Sequence, residues 1–275
     1  PVDGRGISVG EELISSRSLI DRLSSRIASE APWQINFKNL DNESATARRQ
    51  LMLAAQFLKY IDCDQPIRLL IAECEKPLTL MSALYLAHKL GIADKIDISP
   101  LFETSYGLEH GEQVIDQLLT HESYVDYVRQ RGRLAIQTGF SDAGRFIGQI
   151  AANMAIERLQ IKIAQCLKNR IDDDIALLFF NTHGESLGRG GVQSTIADRQ
   201  NFIMTPFVRA RASQIGVRLY HQSSFQGGDG YQYFMNHDLA FASIARILDF
   251  CFSDNDLETQ DSLYDSADFG IEFVN

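Results

Sequence analysis

The sequence predicts an α/β fold: a parallel-stranded (β/α) barrel, present here in part and carrying extra helices. Three observations predict it. Five short runs, IRLLIAE (67–73), KIDISPLFE (95–103), RLAIQTGFSD (133–142), IALLFFNTHG (175–184) and VRLYHQS (217–223), are rich in apolar and β-forming residues. Each is followed by a longer segment with helical spacing of apolar residues. The runs begin at intervals of roughly 30 to 45 residues, the length of a βα unit with a long helix. Continuously apolar strands belong to parallel sheets covered on both faces. Five units are too few to close an eight-stranded barrel, so the chain reads as an open sheet or as the larger part of a barrel.

Taken in order, residues 1–65 form an N-terminal helical segment. EELISSRSLIDRLSSRIAS, from Glu11, has apolar residues near helical spacing, and SATARRQLMLAAQFLKYI repeats the pattern after the turn-like Asp41-Asn42. Residues 66–255 hold the βα repeats. PLTLMSALYLAHKLG (77–91) is a helix opened by Pro77 and closed by Gly91. EQVIDQLLTHESYVDYVRQRG, the long GRFIGQIAANMAIERLQIKIAQCLKNR, ADRQNFIMTPFVRARASQIG with its interruption at Pro206, and HDLAFASIARILDFCF supply the remaining helices. Residues 256–275 are an acidic tail or a cut edge.

Composition narrows the function. A 45% hydrophobic, 23% charged chain of 275 residues has the balance of a soluble globular protein with a sizeable core. No uncharged apolar run reaches the length of a membrane span. The start, PVDGRGISVGEE, has neither Met nor a signal-peptide core and suggests an expressed piece or a processed chain. A net charge of −10 argues against a nucleic-acid surface, though a few local cations suffice for a small anion. Cys63, Cys74, Cys166 and Cys251 are far apart and show no CxxC spacing, which is the usage of reduced, buried thiols in a cytoplasmic protein.

In α/β folds the chemistry gathers at the carboxyl ends of strands. Those ends carry Glu73, Glu103, Asp142, His183 and Gln222. Glu103 and Asp142, at neighbouring strand ends, are suited to a hard divalent cation, Mg²⁺ or Mn²⁺, with positions open for water or substrate oxygens. Each acid taken alone reads first as a helix cap; the pair, joined to the next motif, reverses that and favours the metal. That motif is THGESLGRGG (182–191). Gly188, Gly190 and Gly191 let backbone approach an anion, and Arg189 adds a fixed charge with a donor fork. His183 opens the loop, as a catalytic group or a structural hydrogen-bonding residue. Arg145, one turn beyond Asp142, meets the same anion or pairs with an acidic neighbour. FQGGDG (225–230) is a second glycine loop that reads as a turn.

Together these motifs resemble those of the phosphoenolpyruvate carboxylase family. ECEKPLTLMSALYLAHKLG, PLFET, GFSDAGRFIG, HGESLGRGG and the FQGG loop stand in that family's order, over residues 65 to 250. The resemblance implies an eight-stranded barrel of TIM type with added helices. It implies carboxylation of phosphoenolpyruvate by bicarbonate to oxaloacetate and phosphate, with Mg²⁺ or Mn²⁺. Carried over motif by motif, the metal ligands fall on Glu103 of PLFET and Asp142 of GFSD. Arg189 matches the arginine that handles phosphate or bicarbonate, and His183 the histidine that opens the glycine loop.

The chain also departs from the family pattern. The first glycine loop is two residues shorter, with Glu185 where an arginine is expected; Arg145 replaces a lysine; and QGG replaces QGE. A TAHPTE segment is nowhere in these 275 residues, so the isolated chain is expected to lack turnover and to associate with the rest of the enzyme or with itself. The competing expectation is a barrel of altered or absent chemistry that binds a small phosphorylated or carboxylate anion.

Overall fold

The computed structural model describes residues 16–62, 64, 67–183, 195–225 and 235–253. Two helices precede the sheet: α1 (Ser16–Ser29) and α2 (Thr46–Tyr60), with a 3-10 turn at Phe37–Asn42 between them. Leu51, Ala55 and Leu58 of α2 are buried, at the three-and-four spacing that defines one helix face.

Five strands follow: β1 (Ile67–Ile71), β2 (Ile96–Phe102), β3 (Arg133–Thr138), β4 (Ala176–His183) and β5 (Leu219–Phe225). They form one sheet in chain order, and every neighbouring pair is parallel. That order decides the architecture. A doubly wound sheet reverses direction at a switch point, whereas strands laid down consecutively with right-handed crossovers put their helices on one face. The fold is α/β, a partial (β/α) barrel.

Side-chain alternation agrees. Ile96, Ile98, Phe102, Leu134, Ile136, Leu177 and Phe179 belong to the core under the helices. The intervening positions, Arg68, Asp97, Ser99, Arg133, Gln137 and Gln222, turn to the other face. There Arg68 of β1 lies 4.0 Å from the centroid of the Phe180 ring on β4, and donates to Gln222 Oε1 on β5 at 2.5 Å. A first strand that touches the fourth and fifth across one face requires a curled sheet. The expectation of a sheet covered on both faces agrees with the burial of successive residues along β2, β3 and β4. The face opposite the helices is a concave wall on which these polar residues stand beside Leu101, Leu178 and Phe180. Gln222 also lies inside β5, paired with Phe180, and not at a strand end.

The connecting helices are α3 (Pro77–Lys89), α4 (Ser105–Leu118), α5 (Glu122–Arg131), α6 (Phe140–Ile147), α7 (Gln149–Arg170), α8 (Ile196–Ile203), α9 (Pro206–Ile215) and α10 (His237–Phe252). Two stretches read as single helices are each divided. Gly148, at φ +86° and ψ 153°, separates α6 from α7 in a conformation that L side chains avoid. Residues 119–121 separate α4 from α5. At the Pro206 interruption, the Thr205 side chain accepts from the Val208 N–H and proline takes the first helical position, where its missing donor costs nothing. None of the described helices is long and apolar enough to cross a membrane.

At the amino ends of the strands, Asp97 is only 2% exposed. It is gripped by Arg131 at 2.8 Å and Arg133 at 2.7 Å, while Arg131 also donates to the Asp94 carbonyl. Cys74 and Cys166 are buried free thiols; Cys251 is exposed, against the expectation of burial, and Cys63 lies outside the described residues.

Candidate functional site

The site is built where β2 and β3 end. Phe102 pairs with Thr138 in the parallel ladder, so the next residues, Glu103 and Gly139, leave the sheet side by side. The Gly139 N–H donates to the Phe102 carbonyl at 2.9 Å, fixing the exit. A Cβ on Gly139 would stand 2.4 Å from Glu103 Cβ and 3.2 Å from its Oε2, so only glycine leaves room for that carboxylate. The strand stops at Thr138, and Asp142 sits in the first turn of α6 instead of closing β3. An acid there is also favoured by the unpaired N–H groups of the helix start.

Glu103 and Asp142 line one cleft of about 220 Å³ together with Leu70, Leu101, Gln137 and Asn181. Burial holds the Glu103 carboxyl above the usual carboxylate range, and the adjacent Asp142 carboxylate pushes in the same direction. One contact opposes them: the Glu73 backbone N–H donates to Glu103 Oε1 at 3.2 Å. Glu73 makes that bond from a left-handed backbone, φ +47°, the one described non-glycine residue with positive φ. Such a conformation costs on the order of 1 kcal/mol and gathers at functional sites. Nothing in IAEC announces it beforehand.

The donors converging on the cleft are all oxygens, which suits Mg²⁺ or Mn²⁺ over a softer metal. Gln137, buried at 5% exposure, lines the same cleft, and its Oε1 has no hydrogen-bond partner among the described residues. The residues present therefore fit a hydrated divalent cation. A second set, Glu112, Asp116 and Cys166, also brings ligand atoms within 4.8 Å of one another. It fits less well. Arg170 takes both Asp116 oxygens, at 2.6 and 2.7 Å, and burial pushes the Cys166 thiol up to about 12.

Arg145 is 70% exposed and pairs with Asp142 Oδ1 at 3.2 Å, the acidic-neighbour alternative. The backbone of His183 is the last of β4, at the same end of the sheet as the acids; its side chain is outside the described residues. Gly188, Arg189, Gly190, Gly191 and the substituting Glu185 also lie outside them. Beside the cleft, the buried Asn181 carboxamide bridges Thr138 Oγ1 at 3.1 Å and His221 Nε2 at 2.9 Å. Burial lowers His221 to about 4, keeping it neutral.

Comparison with known proteins bears on this arrangement. A family model described as phosphoenolpyruvate carboxylase matches residues 25–197, more than half of the chain. The chain is 30% identical over 127 residues to phosphoenolpyruvate carboxylase of Marinomonas sp. (strain MWYL1), covering 46% of this chain and 14% of that protein. It is 32% identical over 124 residues to the Xanthomonas campestris pv. campestris (strain 8004) enzyme, 43% of this chain and 13% of the relative. To phosphoenolpyruvate carboxylase 1 of Zea mays it is 26% identical over 128 residues, 46% and 13%. The matched stretch is thus about a seventh of these relatives' length.

Proposed function

The chain belongs to the phosphoenolpyruvate carboxylase family, and from that premise we propose that it is the portion of such an enzyme that holds the divalent metal, in the carboxylation of phosphoenolpyruvate by bicarbonate to oxaloacetate and phosphate. The observation that carries this reading is the convergence of Glu103 and Asp142 on one cleft at the carboxyl ends of β2 and β3.

Glu103 and Asp142 are the residues that would hold Mg²⁺ or Mn²⁺, with Gly139 giving Glu103 its room. When bound there, the cation supplies Lewis-acid stabilisation of the enolate oxygen. In the family reaction, a bicarbonate oxygen attacks the phosphoryl phosphorus and the enolate of pyruvate leaves. Carboxyphosphate then divides into CO₂ and phosphate, and the enolate carbon adds to CO₂. Arg145, held to Asp142 by one exposed ion pair, exchanges that partner for the phosphoryl group at small cost. Arg189 and the backbone of Gly188, Gly190 and Gly191 neutralise and cradle phosphate or bicarbonate, with His183 opening their loop. A cytoplasmic location suits the free thiols of Cys74, Cys166 and Cys251.

A Mn²⁺ titration of the chain and of Glu103→Gln and Asp142→Asn tests the metal role. One site in the parent, lost in both variants, supports it; unchanged titrations overturn it. A coupled assay with phosphoenolpyruvate and bicarbonate, run on the full-length gene product, tests the reaction, and the 275 residues alone are expected to show no turnover above background. Glu185 favours a second reading, a barrel of altered chemistry toward a small anion. Full-length protein that binds Mn²⁺ and phosphoenolpyruvate yet forms no oxaloacetate would establish it.

A further inference from the structure

Gln137 is a polar residue in the apolar strand β3. Alternation turns it to the concave face, one residue before Thr138 and opposite Leu101 in the ladder. It is 5% exposed and lines the cleft of Glu103 and Asp142. Its neighbour Asn181, another buried amide on that cleft, has a partner at each end, Thr138 and His221. Gln137 Oε1 has no such partner among the described residues. A buried acceptor without a donor is destabilising, so its retention calls for a reason.

The polarity of this orphan atom identifies what it would meet. The two carboxylates and the unpaired amide oxygen are all acceptors, and these three groups together call for a ligand that donates. An anion does not satisfy them; the hydrogens of a hydrated cation do. Mg²⁺ and Mn²⁺ sites with few protein ligands keep several waters, and a second ring of acceptors around those waters sets affinity. We propose that Gln137 is a positioning residue of the metal centre, accepting a hydrogen bond from the hydration shell of the cation held by Glu103 and Asp142. This rests on the metal reading of the acid pair. Gln137 completes the ring that the carboxylates begin, and its unpaired oxygen is the cost of keeping the cleft ready.

Metal affinity and stability without metal should move in opposite directions, a signature that a packing role cannot produce. Mn²⁺ binding to the 275-residue chain, followed by electron paramagnetic resonance, is compared in the parent, Gln137→Met, Gln137→Leu, Gln137→Glu and the acid-pair variants. Melting is measured without metal. The expected result is about tenfold weaker Mn²⁺ binding in Gln137→Met and Gln137→Leu, with melting raised by about 2–4 °C as the unpaired acceptor is removed. Gln137→Glu, which keeps an oxygen at that position, should bind within a few-fold of the parent.

Binding that is lost in Glu103→Gln and Asp142→Asn but unchanged in both apolar Gln137 variants overturns this proposal and leaves the acid pair standing. Weaker binding accompanied by lower melting in both apolar variants assigns Gln137 a packing role and also overturns it. Binding unaffected by the acid-pair substitutions removes the premise.

Discussion

Gly139 and Glu103 stand so close that a methyl group on the glycine would lie 2.4 Å from the Cβ of the acid. The constraint is the neighbour and not the dihedral, because Gly139 has φ −99°, open to any residue. Gly139→Ala must therefore displace Glu103, or the start of α6 that carries Asp142. The expected outcome is a loss of about 1–3 kcal/mol in urea unfolding, the usual cost of overpacking, and at least tenfold weaker Mn²⁺ binding. Full Mn²⁺ affinity in the alanine variant would separate the glycine from the acid pair.

A second prediction concerns the opposite end of the strands. Asp97 is 2% exposed and takes both Arg131 and Arg133, whose positions in sequence are more than thirty residues away. A buried carboxylate between two guanidiniums lowers their repulsion as well as satisfying its own charge. Asp97→Ala leaves Arg131 buried beside Arg133 with its partner gone. Such an uncompensated charge costs about 3–5 kcal/mol, read as a lower urea midpoint with an unchanged slope. Because Asp97 lies at the amino ends of the strands, Mn²⁺ binding by the folded fraction should be unaffected.

How much of this was legible in the chain follows from the physics of each feature. Strand positions were legible because IDISPLF and ALLFFNTH are apolar runs that the sheet buries, and IRLLI is one that it half-buries. Glu103 was legible as the acid that follows such a run. Asp142 was legible as an acid near the end of the third run, though it stands in the first turn of α6 and not at the strand end. The curl of the sheet was not. Apolar strands say that both faces are buried, while Arg68 reaching Phe180 and Gln222 depends on which strands become neighbours. Gln137 was hidden for the same reason: one polar residue in RLAIQT gives no direction until the register is known. The left-handed Glu73 leaves no trace, since any non-glycine residue disfavours that backbone and only the assembled fold imposes it.

A third prediction is a pH dependence set by His221. Burial is the main cause of its low folded pKa, about 4, and the Arg209 charge acts in the same direction. The ordinary value in an unfolded chain is about 6.5. Between these values the unfolded state binds a proton that the folded state refuses, so stability falls as pH drops. The contribution is fully present above about pH 6.5 and is lost progressively down to about pH 4, amounting to about 3 kcal/mol for this pair of values. His221→Gln should flatten the stability profile across that window. A parent and variant with the same profile between pH 4 and 6.5 would remove His221 from the acid response.

The last prediction is self-association. No residue of α10 is buried, yet the helix carries Phe241, Ile244, Leu248 and Phe252 at the spacing of one face, with Phe252 85% exposed. Ile150 and Met154, four apart on α7, and Phe146 near the end of α6 are further exposed apolar side chains. Apolar rows of this kind leave water on contact with a partner surface, at about 25 cal/mol for each Å² buried. The chain is therefore expected to associate reversibly with further copies of itself. Sedimentation equilibrium should show a mass that rises with concentration, and Phe241→Ser with Leu248→Ser should return it toward 30.9 kDa. The apolar contact would be identified by its temperature dependence, since association driven by apolar burial strengthens on warming from the cold. A single mass of one chain across the whole concentration range would show that these rows stay in water without penalty enough to pair them.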